Sequence, residues 1–221
     1  MDIEKTITWL GHASFFFNDT NGKTIYYIDP FDLHSRNLNK ADLVFITHAH
    51  PDHCSFEDLK KILKEDTVVI APPDCLSLID IENEKFPVSP SQQYTVRNFD
   101  FLTLPAYNAK PERLQAHPKT NNWVGYVFTI NGRKFYHAGD TDYIPEMETL
   151  RAIHIDVAML PIGGTYTMDA TEAAKAANSI NAKVTIPMHY KRLLGDKASI
   201  AEETFKKLVT NSSVMILKEL Q

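Results

Sequence analysis

The chain has 221 residues and only two cysteines, Cys54 and Cys75, which excludes a disulfide-held scaffold. It has no apolar run long enough to span a bilayer. No block of Lys or Arg suggests a protein that tracks a nucleic-acid backbone. With 23 Lys and Arg against 28 Asp and Glu, the formal charge is −5 and the isoelectric point is near 6.0. The first ten residues alternate polar and apolar like a strand, without the basic start and apolar stretch of a signal peptide. These absences together predict a protein of the reducing cytoplasm that acts on a small molecule rather than on a membrane or nucleic acid. Hydrophobic residues make up 43% of the chain, enough to bury a sizeable core as one domain over residues 1–221.

One segment is unusually dense in chemistry. Thr47-His48-Ala49-His50-Pro51-Asp52-His53 puts three imidazoles and a carboxylate directly after the apolar run Leu43-Val44-Phe45-Ile46. Side chains two apart on extended backbone point the same way, so His48 and His50 can converge on one point. Asp52 and His53 follow at a Pro-initiated turn, which can aim them at a neighbouring point. Packing alone gives no reason to gather imidazoles at a strand end. Cys54 follows directly, either as a further ligand or as a small buried residue opening the next helix.

The rest of the chain alternates short strands with single helices. Strands are predicted over 3–9, 14–18 and 24–28, the last two joined by the turn Asp19-Thr20-Asn21-Gly22-Lys23. Ser55 and Asp58 form a capping box ahead of the helical stripe Phe56, Leu59, Ile62 and Leu63. Further strands are expected at 68–70, 86–88, 93–97, 99–104, 123–130, 134–137, 157–160, 183–187 and 214–217. Helices are expected from Pro73 to about Ile81, from Pro145 to Arg151, over 170–180 capped by Asp169, and over 199–209 capped by Ser199. The polar segment Asn108 to Asn122 interrupts this pattern. Strands with helices inserted singly, the mixture occurring twice, fit two packed sheets with helices outside.

Other polar groups sit where apolar strands run out: Gly11-His12-Ala13, Asp29-Pro30, His137-Ala138-Gly139-Asp140-Thr141 and Pro187-Met188-His189-Tyr190. Two divalent ions about 3.5–4 Å apart require several neutral imidazoles and at least one anionic bridge, for which Asp140 is the best candidate. Imidazole and carboxylate without thiolate suit zinc and also admit manganese or iron. A metal-activated water is the expected nucleophile, with Asp52 both a ligand and its orienting group. Asp29 is either an acceptor for a ligand histidine or a turn residue. Tyr166 and Tyr190 are candidate donors to a developing oxyanion.

These blocks resemble the metallo-β-lactamase superfamily of metal-dependent hydrolases, nearest in look to its small ascorbate-6-phosphate lactonase-like branch. The four blocks Gly11-His12-Ala13, Thr47 to His53, Gly139-Asp140-Thr141 and Pro187 to Tyr190 occur in the family's order across essentially the whole chain. The resemblance implies an α+β fold, the four-layer αββα sandwich. It implies His48 and His50 on a first metal, Asp52, His53 and His189 on a second, and Asp140 bridging. His12 would lie beside the site, binding substrate or helping a proton transfer. The family usually places another metal-binding histidine after the strand that here ends Leu102-Thr103-Leu104-Pro105-Ala106, where this chain has Tyr107-Asn108. His117, His137 or neither completes the first site.

The expected reaction is hydrolysis of an ester-like bond, a phosphodiester or a lactone or carboxylic ester, in a small substrate. Lys110, Arg113 and Lys119 offer positive charge for a phosphate or carboxylate on it, although each also reads as a solvated loop residue. Gly163-Gly164 reads either as a close backbone approach or as a turn. Two other functions carry the same motif: an iron-dependent oxidoreductase with a separate electron donor, and a catalytically degenerate metal-binding protein. Sheet edges and loops leave a homo-oligomer open.

Overall fold

The computed structural model describes residues 3–19, 25–34 and 38–220. Most of the expected turn between residues 19 and 23 lies outside them. The contacts divide the chain into two compact units, one of Met1–Val88 with Leu217–Gln221 and one of Ser89–Ile216. No helix among the described residues is long and apolar enough to cross a membrane.

The first unit is a six-stranded mixed sheet in sequential order: β1 (Ile7–Gly11), β2 (Ser14–Asn18), β3 (Ile25–Ile28), β4 (Leu43–Phe45), β5 (Val68–Ala71) and β6 (Glu84–Pro87). Its first three strands are antiparallel, and β3 to β6 run parallel. Every residue of β4 and β5 is buried, as parallel strands covered on both faces require. Helix α1 (Phe56–Ile62) starts at Ser55, whose Oγ accepts from the Asp58 amide, and it buries Leu59 and Ile62 against Val44, Ile46 and Val69. Each such side chain contributes about 1.5–3 kcal/mol. Helix α2 (Pro73–Leu78) packs Cys75 into the same cluster. The strand expected from residue 3 begins only at Ile7, because the Thr6 amide bonds back to the Ile3 carbonyl at 2.9 Å and closes a 3₁₀ turn.

The second unit is a seven-stranded sheet ordered β13-β12-β11-β10-β9-β8-β7. It comprises β7 (Gln93–Val96), β8 (Phe99–Pro105), β9 (Val124–Ile130), β10 (Arg133–His137), β11 (Val157–Pro161), β12 (Val184–Met188) and β13 (Ser213–Val214). β7 to β10 form an antiparallel meander, and β10 to β13 run parallel. Asn131 and Gly132 close the β9–β10 hairpin with φ of 53° and 72°, the left-handed pair that a tight hairpin demands. Its helices are α3 (Leu150–Ile153), α4 (Ala170–Ile180), α5 (Lys191–Leu194) and α6 (Ala198–Leu208). Asp169 caps α4 by accepting from the Glu172 amide at 2.8 Å. The expected helix 145–151 splits into a 3₁₀ turn, Pro145–Thr149, followed by α3. Ser199 is not a cap. A 3₁₀ turn over Gly195–Lys197 leads directly into α6, whose N-terminal neighbour Lys197 is already in the helical region.

Candidate metal centre

In the first unit, one buried carboxylate organises the histidine loop. Asp29 follows β3 with φ of 46°, a conformation uncommon outside glycine, and is fully buried. Its Oδ1 accepts from the Thr47 amide at 2.8 Å, and its Oδ2 accepts from the Thr47 hydroxyl at 2.7 Å. The same Oδ2 lies 2.8 Å from His53 Nδ1. A carboxylate only accepts, so His53 carries its proton on Nδ1 and presents the lone pair of Nε2. Thr47 has given its one hydrogen to Asp29. Its oxygen, 2.9 Å from His48 Nδ1, therefore accepts from that ring and turns the His48 Nε2 lone pair outward as well. One carboxylate thus sets the tautomers of two imidazoles, the arrangement typical behind metal-binding histidines. Of the two readings of Asp29, the acceptor for a ligand histidine is the one the geometry supports.

The remaining donors gather around these rings. His48 and His53 have ring centroids 4.0 Å apart, and His48 Nε2 lies 3.1 Å from His50 Nδ1. After Pro51 the chain curls, with the amides of His53 and Cys54 bonding to the His50 carbonyl at 3.0 and 2.8 Å. This brings one ligand atom each of His12, Asp52 and His53 within 4.8 Å of one another. His12 Nε2 lies 3.0 Å from Asp52 Oδ2, and the Trp9 indole fixes the turn by donating to the His12 carbonyl at 3.0 Å. Cys54 points elsewhere, its thiol 3.9 Å from the Cys75 carbonyl. The donor set is imidazole and carboxylate, which fits zinc, manganese or iron in the divalent state.

The second unit carries its own cluster. Asp140 follows the turn at Gly139, and its Oδ2 lies 3.4 Å from His117 Nε2 and 3.1 Å from His189 Nε2. All three side chains are buried. His189 stands just past β12 with φ of 57°, and His12 shares that left-handed conformation at 51°. Strained backbone held at strand ends is a frequent mark of functional residues. Gly163 serves a close approach: a Cβ there would lie 2.4 Å from the His189 carbonyl oxygen. His137 is buried, with its Nδ1 accepting from the Gly139 amide at 3.2 Å, so it supports the turn.

Some expected residues have other roles. Of Lys110, Arg113 and Lys119, only Arg113 is withdrawn from solvent; the two lysine side chains are paired with carboxylates but stay 41% and 62% exposed. Arg113 is buried and bonds Asp142 at 2.6 Å and Glu172 at 2.7 Å, Lys110 bonds Glu172 at 2.5 Å, and Lys119 bonds Glu146 at 3.1 Å. The Tyr190 hydroxyl is buried and donates to Glu202, so it is committed within the unit. Tyr166 is half exposed, and it is its backbone carbonyl that reaches His117 and Asn108. Asn108, Asp142 and Glu172 drew no functional reading from sequence. Asp142, two residues after Asp140, was the one with a local signal.

The family model described as a beta-lactamase superfamily domain matches residues 6–189. A UPF0173 metal-dependent hydrolase of Thermoplasma acidophilum is 34% identical over 97% of this chain and 96% of its own length. The chain belongs to the metallo-β-lactamase superfamily. Within it, the similarity is to the UPF0173 hydrolases. A candidate metal-dependent hydrolase of Parabacteroides distasonis aligns with a TM-score of 0.83 at 31% identity, over 97% of this chain and 93% of that one. Igni18, a metallo hydrolase of the archaeon Ignicoccus hospitalis, aligns at 0.75 with 22% identity over 97% and 95%, a likeness of fold. The α+β fold of the superfamily, expected from the four sequence blocks, is therefore the fold of this chain.

Proposed function

We propose that the chain is a metal-dependent hydrolase that cleaves an ester-like bond in a small substrate, working as a single domain. The observation that carries this reading is the Asp29 carboxylate, which holds His53 directly and His48 through Thr47 with their Nε2 lone pairs presented. Building such an array costs the burial of an aspartate, and a merely structural turn has no use for it.

The proposed ligand set follows the superfamily pattern: His48, His50 and His117 would hold one ion, Asp52, His53 and His189 would hold the other, and Asp140 would serve both. Divalent ions held by such donors supply Lewis acidity, bringing the pKa of coordinated water toward neutrality and polarising the scissile carbonyl or phosphoryl oxygen. The protein residues orient and move protons. Asp52, 3.0 Å from His12, is placed to accept a proton from the attacking water. His12, paired with that carboxylate, is placed to return a proton to the leaving group. Tyr190 acts on His189 from behind, pinning the neighbouring backbone to α6 through Glu202.

Phosphodiesters and lactones or carboxylic esters make the same demands on such a site; the lactone reading draws on the resemblance to ascorbate-6-phosphate lactonases. For an anionic substrate group, the exposed Lys110 and Lys119 remain the cations proposed, whereas Arg113 is buried in its ion pairs. Free thiols at Cys54 and Cys75 suit a reducing cytoplasm. The test is a screen of phosphodiesters, lactones and carboxylic esters with metal analysis of wild type and His50→Ala. The reading requires hydrolysis by the wild type, with lost activity and reduced metal in the variant; unchanged activity in His50→Ala contradicts it.

A further inference from the structure

The superfamily's usual histidine after β8 is replaced here by Tyr107-Asn108, and Asn108 is almost wholly buried, at 1% exposure. Its side-chain amide is aimed at three acceptors: the carbonyls of Arg113 and Tyr166, each at 2.8 Å, and His117 Nδ1 at 3.1 Å. An amide nitrogen has two hydrogens, and the two carbonyls take them at the shorter distances. The flipped amide would set its oxygen against both carbonyls, so the orientation is fixed. Its Oδ1 is buried without a hydrogen-bond partner, a cost the fold accepts to keep the donors where they are. The Tyr166 carbonyl so held also lies 3.2 Å from His117 Nδ1. With the hydrogens of Asn108 already given, the Tyr166 carbonyl accepts from a proton on His117 Nδ1. The ring is thereby turned with Nε2 toward Asp140, 3.4 Å away, where a bound metal ion would take the Nε2 lone pair and, without one, the carboxylate favours a proton on it.

We propose that Asn108 is a positioning residue that locks the ring of His117 with its Nδ1–H on the Tyr166 carbonyl, so that an imidazole from nine residues downstream takes the ligand role the superfamily usually gives to a histidine near position 108. This rests on the reading of His117 as a ligand. The loop closes without the Asn108 side chain. The Asn108 amide bonds the His117 carbonyl at 2.8 Å, and the Ala106 amide bonds the Trp123 carbonyl at 2.9 Å. Arg113 keeps its ion pairs as well. Truncation therefore removes the clamp and leaves the fold.

The test combines imidazole ¹⁵N NMR of the zinc-loaded full chain with zinc affinity measured by chelator competition, on wild type, Asn108→Ala and His117→Ala. Wild-type His117 is expected to coordinate through Nε2 and to keep a slowly exchanging Nδ1–H. Asn108→Ala should exchange that proton faster, with zinc affinity reduced about 10–100-fold. Coordination through Nδ1 in the wild type overturns the proposal without any variant. So does an Asn108→Ala protein with wild-type proton exchange and affinity while His117→Ala loses metal. If His117→Ala itself keeps wild-type affinity, the ligand reading fails, and the proposal with it.

Discussion

Asp29 and Thr47 are joined by two hydrogen bonds, amide to Oδ1 at 2.8 Å and hydroxyl to Oδ2 at 2.7 Å, although they stand 18 positions apart in the chain. This pairing ties the end of β3 to the start of the histidine loop and passes a fixed proton arrangement to His48 and His53. Asp29→Ala should lower zinc affinity about 10–100-fold, read by chelator competition. Affinity equal to wild type would show that the carboxylate serves only the turn.

Gly163 has no room for a side chain, because a Cβ would meet the His189 carbonyl at 2.4 Å and Leu193 Cδ1 at 2.8 Å. Gly163→Ala must push the His189 backbone away, at a cost of about 1–3 kcal/mol of stability. Bound metal should fall with it. Denaturant unfolding and metal analysis check both, and full metal occupancy would mean that the strain is absorbed elsewhere.

Arg113 pairs with both Asp142 and Glu172 within a mostly buried cluster whose side chains are 6%, 1% and 11% exposed. Arg113→Met should cost about 3–5 kcal/mol, since it leaves buried carboxylates without their guanidinium. Urea unfolding measures it, and a loss under 1 kcal/mol would show the pairs to be dispensable.

The same cluster makes stability depend on acid. Burial pushes the Glu172 carboxyl up, but hydrogen bonds from Lys110 and Arg113 outweigh it and hold the group below its ordinary 4.5. A lowered folded-state pKa contributes stability that is present above 4.5 and is lost as the pH falls through the folded value. The melting-temperature gap between wild type and Glu172→Gln should therefore be widest near neutral pH and narrow as the pH falls below 4.5. A gap constant from pH 7 to 3 would contradict the assignment.

What could be read from sequence follows the range of the forces involved. The N-cap at Ser55, the Asn131-Gly132 hairpin and the cap at Asp169 are local, and each stands as the residue types predicted, although the Asp58 carboxylate serves the Ser55 hydroxyl and the amides of Asp32 and Leu33 in place of the reciprocal half of a capping box. Ser199 misled because a serine two residues after a 3₁₀ turn looks like a cap only when the turn is invisible. The polar segment 108–122 misled more deeply. Arg113 meets Asp142 and Glu172, 29 and 59 positions away, so no local pattern marks it as buried. The density of His48 to His53 announced metal chemistry outright, whereas the work of Thr47 and Asn108 depends on which hydrogen goes where, and only coordinates show that.

The most direct measurement is metal content and hydrolysis of the purified chain before and after chelation, then after adding back zinc, manganese or iron(II). The account predicts about two equivalents of divalent metal, loss of hydrolysis on chelation and recovery on reconstitution. Hydrolysis that survives complete metal removal, or a protein that binds no divalent metal at all, would contradict it.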